Sequence, residues 1–245
     1  MKFVIPSYKR PYIFRDFTLK FLTKHNVSTD DIYVFVRNDD PLQDYYLKSC
    51  HIIKTDVKGI GATHNFITEY FDEDEFIVEI DDDLEDLYDN TRTPITDFLS
   101  IINDMKQIML EKKISYGGTY QVINPMFMSQ QAQYTYNLKY MLGCMRLRFI
   151  KKDIHIETNF AEDFEHCLQY WLRDGQILKN NHIAPKTKNY CVEGGCAADG
   201  RDNLTEKADK EFLALKYPTL CKLFQRKSGV WDLRLHASKE KNKTI

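Results

Sequence analysis

Three consecutive carboxylates, Asp81-Asp82-Asp83, follow directly on the apolar run Phe76-Ile77-Val78-Glu79-Ile80. Such neighbours repel by roughly a kcal/mol or more per pair where water is partly excluded. The cluster therefore calls for a cation, and hard oxygen ligands suit Mg2+ or Mn2+. From Asp72 to Asp89, eleven of eighteen residues are Asp or Glu, and no Lys or Arg appears before Arg92 to neutralise them. A solvated acidic loop is the alternative, disfavoured because the apolar run aims these acids at a fixed point. The triplet supplies the candidate metal ligands. His182 is either a further ligand or a polar residue on a strand edge. A second acidic pair, Glu162-Asp163, precedes an apolar helical face, where acids are favoured by the helix dipole and are often only caps.

The run before the acids is short and rich in β-branched and aromatic residues, which predicts a central strand buried on both faces. The acids then lie at its carboxyl end, where open α/β sheets bind ligands. Lys2-Phe3-Val4-Ile5 reads as a first strand and Pro6 to Pro11 as a turn. Pro11 opens a helix with Phe14, Phe17, Thr18, Phe21 and Leu22 at helical spacing. Asp31 to Val36 is a second strand, and Ile52-Ile53 a short edge strand. This alternation predicts an α/β fold, mixed but mainly parallel. Gly59-Ile60-Gly61-Ala62-Thr63-His64-Asn65 opens the next helix, as a plain entry turn or as a close approach to an anionic or planar ligand.

Past the acids, Thr93-Pro94 is expected to cap a helix carrying Ile95, Phe98, Leu99, Ile102, Met105 and Met109. Strands are expected over 114–123, 141–150 and 176–183. Residues 126–140 are either a flap over a substrate or a hairpin. Phe164, Cys167, Leu168, Trp171 and Leu172 form one helix face. A helix over 205–217 with Ala208, Phe212 and Leu215 inward, a basic turn at Arg226-Lys227-Ser228-Gly229, a closing strand over 231–236 and a frayed tail complete the chain.

With 245 residues, 43% of them hydrophobic, the chain can bury one substantial core. No stretch approaches the ~20 apolar residues that span a bilayer, and Met1-Lys2 leads into an apolar run too short for a signal peptide. The six cysteines form no CxxC pair, which fits free thiols in a reducing cytoplasm. Residues 1–150 carry 17 basic and 22 acidic side chains, whereas residues 186–245 carry 13 and 8. The C-terminal part is thus suited to face a polyanion while the N-terminal part holds a cation.

The ordered set Val4 to Pro11, Gly59 to Asn65 and Asp81-Asp82-Asp83 resembles a GT-A nucleotide-sugar glycosyltransferase. Glu162-Asp163, the Gly194-Gly195 loop with Gly200-Arg201, Tyr217-Pro218 and the Lys-Ser-Gly turn look more narrowly like the TET-associated glycosyltransferases, bacteriophage enzymes thought to add sugars to hydroxymethylated pyrimidines in DNA. The resemblance implies that Pro6, Ser7, Tyr8 and Arg10 lie beside the nucleoside and that Gly61 to Asn65 contribute to nucleotide binding. It places Asp81, Asp82 and Asp83 at the DxD element for metal and diphosphate, with Asp163, beside Glu162, as the acid that takes the acceptor proton. Thr63-His64-Asn65 departs from the commoner pattern, where Arg precedes Asn, and leaves the part of His64 open. The implied donor is a UDP-sugar and the implied location the cytoplasm of a phage host.

On this resemblance residues 1–185 form a GT-A-like catalytic core and 186–245 an acceptor-side extension of the same domain. Gly194, Gly195, Arg201, Arg226 and Lys227 are the expected contacts to DNA bearing 5-hydroxymethylcytosine. Two alternatives remain: a transferase acting on a glycan, lipid or protein, and a catalytically silent DNA-binding module on the same fold. Inversion at the sugar carbon is preferred over retention because one carboxylate placed as base suffices for it.

Overall fold

A computed structural model describes residues 1–46, 48–187 and 194–236. Part of the glycine-containing loop, with Cys191, and the C-terminal tail lie outside the described residues. Strand β1 (Lys2–Pro6) leads into α1 (Pro11–Phe14), which continues through a π-helical turn (Arg15–Leu19) into α2 (Lys20–Lys24). Then come β2 (Ile32–Arg37), β3 (His51–Thr55), α3 (Ile60–Tyr70) and β4 (Phe76–Ile80). The middle of the chain holds β5 (Leu84–Asp89), α4 (Phe98–Lys112), β6 (Tyr116–Thr119), α5 (Pro125–Ser129), β7 (Tyr134–Thr135) and β8 (Met145–Phe149). Helix α6 (Glu162–Asp174), β9 (Leu178–Asn180), β10 (Ile183–Thr187), α7 (Gly195–Ala198), α8 (Asn203–Lys216), β11 (Cys221–Gln225) and β12 (Trp231–Leu235) follow.

Eight strands form one sheet in the order β3-β2-β1-β4-β8-β6-β9-β7. Neighbours β3, β2, β1 and β4 run parallel, while β8 is antiparallel to both β4 and β6, and β7 to β9. This is the expected mixed, mainly parallel α/β sheet. Every residue of β4 is buried, the apolar ones as a central strand requires and Glu79 among charged partners. Helices α1, α2 and α4 cover one face, where Phe3, Phe21 and Phe98 pack together at ring separations of 5.9 and 5.0 Å. Helix α6 and the C-terminal elements share a second core containing Tyr116, Leu168, Leu213 and Leu233.

Several local expectations are corrected. The α4 helix starts at Phe98 with Asp97 at its N-cap, and Pro94 instead bridges to Tyr88. The acidic run past the triplet is a strand, β5, paired antiparallel with β10, in which Pro185 stands opposite Leu87. On α6 the buried side includes His166 and Tyr170 while Leu172 is exposed, a face rotated from the expected one because the sheet beneath it is polar. On α8, Leu213 and the stem of Lys210 are buried, whereas Ala208 is exposed and Phe212 and Leu215 are 41% and 83% exposed. Asp202 caps α8 through the Leu204 and Thr205 N–H groups, and Thr205 completes a capping box. Among the described residues the five cysteines are free thiols, and no helix is long and apolar enough to cross a membrane.

Candidate active site

The chain runs leftward from β1 through β2 to β3, then returns to lay β4 on the other side of β1. Strand order reverses between β1 and β4, and ligands of open α/β sheets bind in the crevice such a reversal opens at the carboxyl ends. Ser7 and the acid triplet occupy those two ends. The Ser7 hydroxyl donates to Asp82 Oδ2 at 2.6 Å and lies 2.8 Å from the Tyr46 hydroxyl. Arg10 Nη1 stands 3.5 Å from Asp82 Oδ1. The middle acid therefore joins β1 to β4.

The backbone of the acid turn is clamped from two sides. Thr18 donates its hydroxyl hydrogen to the Asp81 carbonyl at 2.7 Å and accepts from the Leu84 N–H at 2.9 Å. The Asp81 N–H donates to the Cys144 carbonyl at 3.1 Å. Thr18 sits in the π-helical turn, an irregularity frequent at functional sites. Its spacing marked it as one more inward helical position, and nothing in the sequence distinguished it from Phe17 or Phe21.

Charge at this turn is under stress. Burial, with Asp83 adding to it, pushes the Asp81 carboxyl up to about 8 against partial relief from Arg146. Burial pushes Asp82 up to about 6, with Arg10 and Ser7 opposing. Glu162 is pushed well above the carboxylate range by burial and by Asp163 beside it. A cation placed here would be strongly favoured.

Near the triplet, on the β8 side of β4, stands Asp163, in the first turn of α6. Neither it nor Glu162 caps the helix; Ala161 holds the N-cap without a side-chain bond. Asp163 Oδ2 accepts from the Tyr140 hydroxyl at 3.2 Å, and Oδ1 lies 3.2 Å from Arg146 Nη2 without hydrogen-bond alignment. Behind it, Arg148 Nη2 donates to Glu79 Oε2 at 2.8 Å, while Arg146 Nε lies 3.2 Å and His64 Nδ1 3.0 Å from Glu79 Oε1. Burial lowers the pKa of His64 and takes that of His166 well down, so both stay neutral. Two arginines and two carboxylates are thus balanced beneath the crevice. Sequence reasoning missed Glu79, Arg146, Arg148 and Tyr140.

The remaining expected residues divide. Pro6 ends β1, and the Tyr8 ring lies 4.0 Å beneath the Arg37 guanidinium. The Gly195 N–H donates to the Tyr8 carbonyl at 2.9 Å and Arg10 Nη2 to the Gly194 carbonyl at 3.2 Å, so this glycine pair docks on the turn after β1. Both glycines have positive φ, and a Cβ on either would meet Arg10 within 2.8 Å. Arg201 Nε donates to Glu206 Oε1 at 2.6 Å. Gly61 provides close packing, since a Cβ there would fall 2.1 Å from the Thr158 carbonyl. Asn65 exchanges two 2.8 Å hydrogen bonds with the backbone of Ile156, so its amide clips the 156–159 segment to α3. His64 is fully buried against Glu79. His182 lies in the turn between β9 and β10, where its ring bonds the Gln131 carbonyl at 2.9 Å, and among the described residues no three His, Cys, Asp or Glu side chains converge tightly enough to hold an ion alone. Arg226 lies in the β11–β12 turn with Nε donating to Asp232 Oδ2 at 2.8 Å, and Lys227 is exposed beside it.

These donors fit a divalent cation that completes its shell from a ligand. Mg2+ and Mn2+ commonly take one or two carboxylates and fill the rest with phosphate oxygens and water, and Asp81 and Asp83 offer that number under mutual repulsion.

No protein-family model matches the chain, and no curated protein matches it in sequence. Solved structures do share its fold. A glucosyl-3-phosphoglycerate synthase from Mycobacterium tuberculosis, in complex with Mn2+, UDP-glucose and glycerol 3-phosphate, matches at TM-score 0.52 and 11% identity over 91% of this chain and 83% of that one. A UDP-glucose pyrophosphorylase complexed with UDP-glucose matches at TM-score 0.50 and 9% identity over 76% of this chain and 91% of that one. S. aureus TarS 1-349 matches at TM-score 0.47 and 15% identity, with this chain spanning 60% of its length. The matches at TM-score 0.50 and above establish the fold as the GT-A-like, Rossmann-like sheet that the strand order describes.

Proposed function

We propose that the protein is a metal-dependent glycosyltransferase that uses a UDP-sugar donor. The observation carrying this reading is the meeting of two carboxylate sets at the carboxyl end of β4: the clamped, charge-stressed turn Asp81-Asp82-Asp83, and Asp163, held beside it by Tyr140 and Arg146 and adding to the rise of the Asp81 carboxyl. The solved structures of this fold with bound UDP or UDP-glucose support it.

Each residue then has a task. Ser7, Tyr8 and Arg10 border the nucleoside end, and Asp81 and Asp83 hold the cation. When bound, that ion supplies Lewis-acid stabilisation of the charge developing on the diphosphate. Asp163 accepts the proton of the acceptor hydroxyl as its oxygen bonds the anomeric carbon, and the carbon–oxygen bond to the diphosphate breaks with its electron pair leaving on the diphosphate. A hydroxyl with a pKa far above neutral needs such a positioned base. Glu162 stands beside it, its carboxyl raised by burial and by Asp163.

For the acceptor we favour the hydroxyl of 5-hydroxymethylcytosine in DNA, on the resemblance of the Gly194-Gly195 loop and the basic turn to the phage enzymes. A base within a duplex would have to be flipped to reach the crevice. The pairing of Arg226 with Asp232 and of Arg201 with Glu206 favours a second reading, an uncharged acceptor, because it neutralises two of the cations expected to meet DNA. The deciding experiment incubates hydroxymethylcytosine DNA with the protein, Mn2+ and a panel of nucleotide sugars, followed by mass spectrometry. A hexose or pentose mass added to the base supports the DNA acceptor. Hydrolysis of the donor with unmodified DNA supports the second reading, and an intact donor refutes the transferase.

A further inference from the structure

Asp163 is held by groups that the transfer reaction does not itself consume. Arg146 lies on β8 directly opposite Glu79 of β4 in the antiparallel register, so two central strands fix where its side chain starts. Its guanidinium is then fixed in plane. Nε and Nη2 both donate to the Gly143 carbonyl, at 3.2 and 3.0 Å, while Nε also faces Glu79 and Nη2 faces Asp163. A buried guanidinium with this many partners has one orientation.

We propose that Arg146 is a positioning residue that orients the Asp163 carboxylate toward the acceptor, and that Gly143 is required to leave room for the contact. This rests on the transferase reading above. A carboxylate held only by the Tyr140 hydroxyl turns about its last bond; the charge of Arg146 3.2 Å from Oδ1 restricts that rotation, and each oxygen keeps a lone pair for the incoming proton. The groups facing Asp163 are Glu162 from α6 itself, Arg146 from β8, Tyr140 and Gly143 from the segment before β8, and Asp81 from the acid turn. Arg146 divides its charge between Asp163 and Glu79, so it orients the base while remaining balanced within the network.

Gly143 makes the proposal testable without removing any charge. A Cβ there would fall 2.0 Å from Arg146 Nη2 and 2.1 Å from Asp163 Oδ1, a wedge between the two groups. Gly143 is not among the positive-φ glycines, so alanine costs its own backbone little.

Gly143→Ala and Arg146→Lys are compared with the wild-type chain in turnover of UDP-glucose with hydroxymethylcytosine DNA, in Mn2+-dependent hydrolysis of UDP-glucose, and in calorimetric binding of UDP with Mn2+. A crystal structure of Gly143→Ala accompanies them. The expected result is a kcat at least about 100-fold lower in both variants, with donor KM and UDP affinity within about threefold of wild type, and the Asp163 carboxylate turned away from Arg146. A folded variant with wild-type kcat overturns the proposal, as does a loss of UDP affinity in proportion to activity, which would make Arg146 part of the donor site. Should Gly143→Ala fail to fold, Arg146→Lys, which keeps the charge and loses the fork, decides alone. A wild-type chain that neither transfers nor hydrolyses removes the transferase reading itself, whereas an active wild type with equally active variants removes only the role of Arg146.

Discussion

Asp81→Asn should make the ligand-free protein more stable and the enzyme inactive. The wild-type carboxyl is raised from its ordinary 3.8 to about 8, by burial and then by Asp83. A raised carboxyl favours the protonated form in the folded state, so wild-type stability declines as pH climbs from about 4 towards 8. At about 1.36 kcal/mol per unit, the shift corresponds to roughly 5 kcal/mol at pH 8. Asp81 is half-buried, and water screens part of this, leaving about 2–3 kcal/mol. For a chain of this length that is a gain of roughly 5–10 °C in Tm for Asp81→Asn at pH 8. At pH 5 about a third of the gain should remain, because there the wild-type carboxyl is largely protonated in the folded state. Scanning calorimetry at both pH values measures it. Saturating Mn2+ and UDP should reverse the order, since only the wild type gains the stabilisation of binding. A variant no more stable than wild type at pH 8, or a gap that ignores pH, would refute the charge-stressed turn.

Other perturbations separate the parts of the site. Asp163→Asn should lower turnover by about 10²–10⁴-fold while UDP and Mn2+ still bind by calorimetry; loss of binding would move Asp163 out of the base role. Glu79→Gln should cost about 3–5 kcal/mol of stability in denaturant unfolding, because Arg146 and Arg148 lose their shared buried counter-ion; an unfolding midpoint unchanged from wild type would show the network to be dispensable. Lys227→Glu should weaken DNA retention and flatten its dependence on salt, and an identical slope would argue against DNA on the β11–β12 turn.

Much of the architecture was legible because it rests on runs that only one element type accommodates. Phe76 to Ile80 is apolar but for Glu79 and ends in carboxylates, which a central strand at a crevice explains and a helix does not. What escaped detection is polar and buried. Met145-Arg146-Leu147-Arg148-Phe149 alternates as a half-exposed strand would, yet its arginines point into a closed network that Glu79, His64 and His166 from other elements complete. Burial of that kind depends on partners 18 to 69 positions away in the chain. The strand over Leu84 to Asp89 left no local signal because its partner β10 lies almost 100 residues downstream. Asn65 and His182, plausible as ligand contacts by type, bond the backbone of Ile156 and Gln131, contacts with no trace in local spacing.

The most direct measurement is a crystal structure with Mn2+ and UDP, recorded with the anomalous signal of manganese. A peak between Asp81, Asp83 and the diphosphate, with the uridine beside Ser7 and Tyr8, is the predicted result. Manganese bound elsewhere, or UDP seated away from the β1/β4 crevice, would contradict the account.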